Sequence, residues 1–225
     1  MALIDYQALV DSLVRDDAEK ITPADRDKAI GLAVVQYSKD RPKDKSEDVI
    51  AAGGHYLPLP VNWETDFSSL KAVEFPTDEV PPNYFESGVY SMYNHPTGLK
   101  IQSKHYFTAN DTARLHFTIK HTLTKTTDNI PEDDELAVAS WAAAVLCDQL
   151  ASFYSGSSDS TIAADTVEHA SKAKDFAIRA NSLRKRYHDH LGIDPKRNTA
   201  AGVVVDLDMK NSRGRDRLQH PGRFR

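Results

Sequence analysis

The chain has 225 residues, 40% of them hydrophobic, with 28 Lys and Arg against 33 Asp and Glu. This composition is typical of a soluble globular chain of one domain with embellishments, or of two small domains. We find no run near the roughly 18 apolar residues that span a bilayer and no secretory signal pattern, so we expect no membrane partner. The single cysteine, Cys147, excludes an internal disulfide, and we expect it to be a core residue in a protein made in a reducing cytoplasm.

Two short amphipathic helices are predicted at the start of the chain. Residues 3–14 carry apolar side chains at helical spacing, among them Tyr6 and Val10. Thr22-Pro23-Ala24-Asp25 then combines an N-cap residue, a proline at the first helical position and an early acid. The second apolar stripe continues to Tyr37. Two such helices bury little alone, so we expect them to pack on a later part of the chain.

The pattern changes to short β-branched and aromatic segments, separated by Pro, Gly and Asn, from about residue 46 to residue 129. Gly53-Gly54 predicts a hairpin turn between the first two strands, and His95-Pro96-Thr97-Gly98 predicts another turn. We therefore expect one small antiparallel sheet between two helical halves. The predicted strands cover 48–52, 55–59, 70–75, 88–93, 99–101 and 114–121.

The clearest structural pattern lies in residues 130–191, which are predicted to form two long helices on either side of a Ser/Gly-rich break. The first begins at Ile130-Pro131-Glu132-Asp133, where acids complement the helix dipole. From Leu136 to Leu150 it is almost entirely apolar and must be covered on most sides. The second run carries small residues on a narrow face and ends at Gly192. We predict an α+β fold: a helical bundle built on a long antiparallel helical hairpin, with an inserted small antiparallel β-domain and an extended C-terminal tail.

Three parts follow from these patterns: a helical core from 1–45 and 130–195, a β-rich domain from 46–129, and a basic tail from 196–225. The tail holds eight Lys and Arg against three Asp, which leaves an acidic body. It could grip nucleic acid phosphates, dock in an acidic groove of another protein, or stay solvated. The largely apolar, β-rich segment 203–207 favours protein docking, because it suits strand addition to a sheet edge.

No catalytic or metal-binding set stands out in the sequence. The spacings of His116 with His121 and of His188 with His190 do not suit a shared metal on a helix, so we interpret these histidines as solvated surface residues. The four acids at 132–135 are explained by the helix start. No phosphate-binding Gly-rich loop or nucleophile elbow is present. We therefore expect no enzyme activity and no cofactor.

The order of parts resembles the head-to-tail adaptor (connector) proteins of tailed bacteriophages. The resemblance rests on the short helical pair 6–14 and 22–37, on the helix start Ile130-Pro131-Glu132-Asp133, and on a second long helix that ends Tyr187…Leu191-Gly192. It covers about half of the chain, 1–40 and 130–192. The β-rich middle looks more like the members of this family that carry an inserted sheet.

The resemblance implies a structural virion protein of the neck, a homo-oligomeric ring of dodecameric type. Such a ring binds the portal protein, extends the channel for genomic double-stranded DNA, and provides the docking platform for the stopper or tail completion protein. An acidic body suits such a channel, because it repels DNA phosphates. The resemblance implies portal binding by Val203, Val204, Val205, Leu207, Arg213, Arg215, Arg217, Phe224 and Arg225. It implies a subunit interface at Leu136, Trp141, Val145, Leu150, Val167, Ala170, Ala177, Ala180 and Tyr187.

The alternative function is a nucleic-acid-binding regulatory protein that uses the basic C-terminal arm on duplex phosphate. An enzyme ranks third, because no catalytic set can be named. The two leading functions differ in oligomeric state: an adaptor forms a ring, whereas the regulator would bind DNA as a monomer.

Overall fold

The computed structural model describes residues 2–16, 19–86, 88–156 and 165–195, with the side chains of 165–170 left out. The predicted tail and all nine predicted portal-binding residues lie outside the described residues. The helices are α1 Leu3–Val14, α2 Pro23–Asp40, α3 Glu135–Gly156 and α4 Asp165–Leu191, with a 3-10 turn Glu132–Asp134 before α3. The strands are β1 Lys43–Ile50, β2 Gly54–Leu57, β3 Leu70–Glu74, β4 Tyr90–His95, β5 Gly98–Phe107 and β6 Thr112–Ile119.

The described residues form an α+β fold with four helices and two antiparallel three-stranded sheets. The predicted fold class is partly consistent with this arrangement, but its architecture is wrong, because the protein is not a bundle built on one long helical hairpin. The physical reason is that the strands have an apolar core of their own, which includes the fully buried Leu57, Ile101 and Phe117. The second core lies among the four helices. The predicted domain boundaries remain a prediction.

Two sheets replace the single sheet predicted from the sequence. Sheet A has the strand order β1-β6-β3, and sheet B has the order β2-β5-β4. The hairpin predicted at Gly53-Gly54 is wrong, because β1 pairs with β6 whereas β2 pairs with β5. Both glycines have a φ of 96°, a region open to glycine, and they turn the chain from one sheet into the other. The turn predicted at His95-Pro96-Thr97-Gly98 is confirmed, since His95 pairs with Gly98.

The apolar helix α3 is covered within the chain itself. Helices α1, α2 and α4 all pack against it, and Ala142, Ala143 and Leu146 are buried. α4 runs antiparallel to α3, with Tyr154 stacked on Phe176 near one end of the pair. Small alanine side chains let the neighbouring helix backbones approach closely.

The segment Glu132–Gly156 is long and apolar enough to cross a membrane by length and composition alone. The expectation that no segment approaches this threshold is therefore wrong. More than half of its most apolar window is buried against the rest of the chain. The core helix of a soluble protein meets the same criteria, so this segment does not indicate a location.

Candidate functional site

A buried carboxylate joins the ends of α2 and α4 to the start of α3. Asp134 is 2% exposed, and its oxygens lie 2.8 Å from Nη1 of Arg41 and 2.9 Å from Nε2 of His190. The Tyr37 hydroxyl donates a third hydrogen bond to it. Burial alone would raise the pKa of this carboxyl, but the hydrogen bonds from Tyr37 and His190 and the charge of Arg41 outweigh burial, so the pKa is lowered. Asp134 is therefore a charged structural anchor.

Two further buried contacts extend this junction. The Tyr187 hydroxyl donates to Oδ2 of Asp40 over 2.6 Å, and burial together with this carboxylate raises the pKa of Tyr187. His121, only 8% exposed, has Nε2 3.0 Å from the carbonyl oxygen of Arg41. The interpretation of His121 as a solvated histidine is therefore wrong. That of His190 needs correction too, because it contacts Asp134. Neighbour spacing in the sequence could not reveal these partners, which lie 80 and 56 positions away.

We expect Asp134→Asn to lower the free energy of unfolding by roughly 2–4 kcal/mol at pH 7, because it removes the charge that Arg41 and His190 face. A lowered folded-state pKa contributes stability above the unfolded value of about 3.9, and this stability is lost as pH falls through the folded pKa. Urea unfolding should therefore show that the variant and the unaltered protein differ less in free energy of unfolding at pH 3 than at pH 7. Asp133→Asn, at an exposed carboxylate in the same turn, is the control. Equal stability of both variants at pH 7 would contradict the anchoring role.

A serine, a histidine and a glutamate come together across sheet A. Oγ of Ser46 lies 2.7 Å from Nδ1 of His116, and Nε2 of His116 lies 3.4 Å from Oε2 of Glu74. The first distance lies within the roughly 2.6–3.2 Å typical of a hydrogen-bonded nucleophile and base, and the second contact is longer. The other oxygen of Glu74 accepts a hydrogen bond from the backbone of Asp78 and lies 3.6 Å from Nη1 of Arg114. These polar contacts link β1, β6 and β3 across sheet A.

Cys147 is fully buried, as predicted, and burial raises the pKa of its thiol to about 11. The thiol is therefore protonated at neutral pH and is a poor nucleophile. Among the residues that the structure describes, no group of three or more His, Cys, Asp and Glu side chains is placed to hold a metal ion.

The outward face of α2 carries an apolar stripe, which we define as Gly31, Leu32 and Val35. Leu32 is 57% and Val35 44% exposed. No heavy atom beyond its chain neighbours and its own helix backbone lies within 4 Å of the position a Cβ would take at Gly31. A glycine inside a helix costs roughly 0.5–1 kcal/mol relative to alanine. Nothing in the described part of the chain requires this glycine.

The outward faces of the helices differ in charge. Residues 171–191 of α4 carry six Lys and Arg against two Asp, and the exposed Ile178 lies among them. Helices α1 and α2 together carry five Asp against three Lys and Arg, with Ile4 69% exposed. α3 separates α1 and α2 from α4 over most of their length. One subunit therefore presents an acidic and a basic helical surface, each with exposed apolar side chains.

The residues predicted for a subunit interface occupy several environments. Leu150, Ala180 and Tyr187 are buried in the helical core of the chain itself. Trp141 and Val145 pack against that core, and Ala177 is partly buried. Leu136 is 39% exposed, whereas the side chains of Val167 and Ala170 lie outside the described residues. The interface assignment stays a prediction. Most of the apolar side chains from Ala137 to Leu150, however, are buried within the chain without a second subunit.

The comparisons with known proteins give no family. No protein-family model and no curated protein matches the chain.

Proposed function

We propose that this protein is the subunit of a head-to-tail adaptor ring in the neck of a tailed bacteriophage. In this proposal the ring binds the portal, extends the DNA channel and provides the platform for the stopper or tail completion protein. The observation that carries the proposal is the pair of unlike surfaces on one subunit: helices α1 and α2 with an excess of Asp, and the basic part 171–191 of helix α4.

Unlike surfaces favour head-to-tail contact between copies. A contact that joins two different patches repeats around an axis, and it generates a closed ring when the rotation closes. The acidic face of one subunit would meet the basic face of the next, and opposite charges orient the approach. The apolar stripe on α2 and Ile178 on α4 supply the apolar part of such a contact.

The basic tail supplies the contact with the portal in this proposal. Four of the five residues 203–207 are apolar, which suits strand addition, and the arginines that follow suit an acidic groove. The body has the opposite charge balance, which favours passage of DNA through a channel without adhesion. The tail and the helical faces thus take separate roles, portal attachment and ring formation.

Mass measurement and negative-stain imaging of the full chain, alone and with purified portal protein, test the proposal. We expect rings on the portal, and we expect deletion of 203–225 to abolish portal association. Circular dichroism of the deletion variant should match that of the full chain, because the described residues before position 196 form both cores among themselves. A persistent monomer with no ring in either sample would refute the adaptor. Salt-dependent binding of duplex DNA by such a monomer, lost on deletion of 211–225, would favour the regulatory alternative instead.

A further inference from the structure

Sheet B has an outward face that combines aromatic and basic side chains. On its central strand β5, Lys100, Gln102 and Lys104 alternate with the buried Ile101 and Ser103, so these three side chains point away from the sheet core. The two lysines are four positions apart, which places them about 13 Å apart along the strand. The central strand therefore carries two positive charges on one exposed line.

Aromatic rings lie beside Lys100 and further along the strand beyond Lys104. Tyr56 on β2 and Tyr93 on β4 stack with centroids 5.7 Å apart, and Nζ of Lys100 lies 5.9 Å from the Tyr56 centroid. Further along β5, Tyr106 is 66% exposed and meets His55 edge to face at 5.4 Å. A shallow hollow on the same face is lined in part by His55, Gln102 and Lys104. The face thus has two aromatic clusters and a polar hollow.

The charge of this sheet differs from that of the chain as a whole. The chain has a net charge of −5, yet the three strands of sheet B contain no Asp or Glu. They contain two lysines and three histidines. The face is therefore suited to an anionic ligand, and its exposed rings are suited to a ligand with flat apolar surfaces.

We propose that the outward face of sheet B binds single-stranded nucleic acid. Unpaired bases stack on exposed aromatic rings, and lysines along a strand neutralise the phosphates. Duplex DNA would not stack on the rings, because its bases are already stacked inside the helix. A neutral sugar could pack on the rings but would leave the charges of the lysines unpaired. This binding belongs to one subunit and does not depend on ring formation.

Fluorescence anisotropy with a labelled 20-nucleotide oligothymidylate tests this proposal on the full chain. We expect Tyr93→Ala and Tyr106→Ala each to weaken binding roughly 5- to 100-fold, the range seen when a stacked base loses its ring. Lys100→Glu should also weaken binding, and it should reduce the slope of log K against log salt by about one or more. Unlabelled duplex of the same length should compete poorly.

Tyr84→Ala is the matched control, because Tyr84 is 50% exposed but lies beside His116 of sheet A. It should bind the oligonucleotide within about twofold of the unaltered protein. Thermal melts establish that each variant is folded. If a tyrosine variant does not fold, the double variant Lys100→Glu/Lys104→Glu takes its place. Three results would overturn the proposal: no binding by the unaltered protein, unchanged binding by the sheet B variants, or equal competition by duplex. Unchanged binding would assign the contact to the basic tail.

Discussion

Gly31→Arg is expected to abolish ring formation while leaving the subunit folded. The substituted side chain meets open space in the isolated chain, because nothing lies within 4 Å of the Cβ position. In the proposed ring the same position faces the neighbouring subunit, where a long charged side chain would hold the two surfaces apart. Burial of an unpaired charge in such a contact costs several kcal/mol, which corresponds to a loss of at least about 100-fold in affinity. Sedimentation and mass measurement, with and without portal, give the readout.

Gly31→Ala separates an effect on assembly from an effect on folding. Alanine inside a helix is favoured over glycine by roughly 0.5–1 kcal/mol, so the thermal midpoint of the monomer should rise by about 1–4 °C. If a neighbouring backbone approaches closely at this position, ring formation should nevertheless weaken. A merely tolerated surface glycine would give a more stable subunit that assembles as before.

Gly88→Arg is the matched control for the arginine variant. A Cβ at Gly88 also meets nothing within 4 Å, but this glycine lies in a turn before β4, away from the helices. It should leave ring formation unchanged. Loss of assembly in both variants, or in neither, would contradict a subunit contact on the apolar stripe of α2.

The sequence predicted the position of most elements because periodicity is a local property. Each of the four helices and six strands overlaps a predicted segment, since α3 is marked by its apolar run and β6 by alternation around Leu115 and Phe117. The N-cap at Thr22 is a local signal as well, and its side chain accepts a hydrogen bond from the backbone of Asp25.

Strand pairing could not be predicted from the same signals. The Gly53-Gly54 turn is local, but whether it joins paired strands depends on β5 and β6, which lie about 50 to 60 positions further on. When the strand partners are unknown, the same pattern of apolar and polar residues fits either one inserted sheet or two sheets with a core of their own. The architecture of the fold was therefore the part that the sequence left undetermined.

The residues of the polar junction were missed for a related reason. Asp134 stands in a run of four acids, and a helix dipole is a sufficient local explanation for all four. Its partners Arg41 and His190 are distant in sequence, so only the fold brings them together. Similarly, the apolar composition of α3 indicated that it must be covered, but not that its own chain covers it.

The separate core of the sheets leads to the second large effect, on stability. Phe117 is fully buried on the central strand of sheet A, and its ring lies 5.7 Å from Trp63. Phe117→Ala should lower the free energy of unfolding by roughly 3–5 kcal/mol, because it leaves a cavity that the paired strands on both sides prevent from closing. Urea unfolding measures this loss. Phe153→Ala, at a ring 48% exposed on α3, is the control and should have a much smaller effect.

Hydrogen exchange on Phe117→Ala distinguishes two cores that unfold separately from two that unfold together. The helical core shares no buried residue with the sheet core, so amides of β1, β3 and β6 should lose protection while those of α3 keep most of theirs. Few contacts join the two, among them the hydrogen bond from the His121 amide to the Ser38 hydroxyl. Equal loss of protection in α3 and β6 would mean that this junction couples the cores into one cooperative unit. Ring formation by a variant with a loosened sheet would then show that the helical faces are sufficient for assembly.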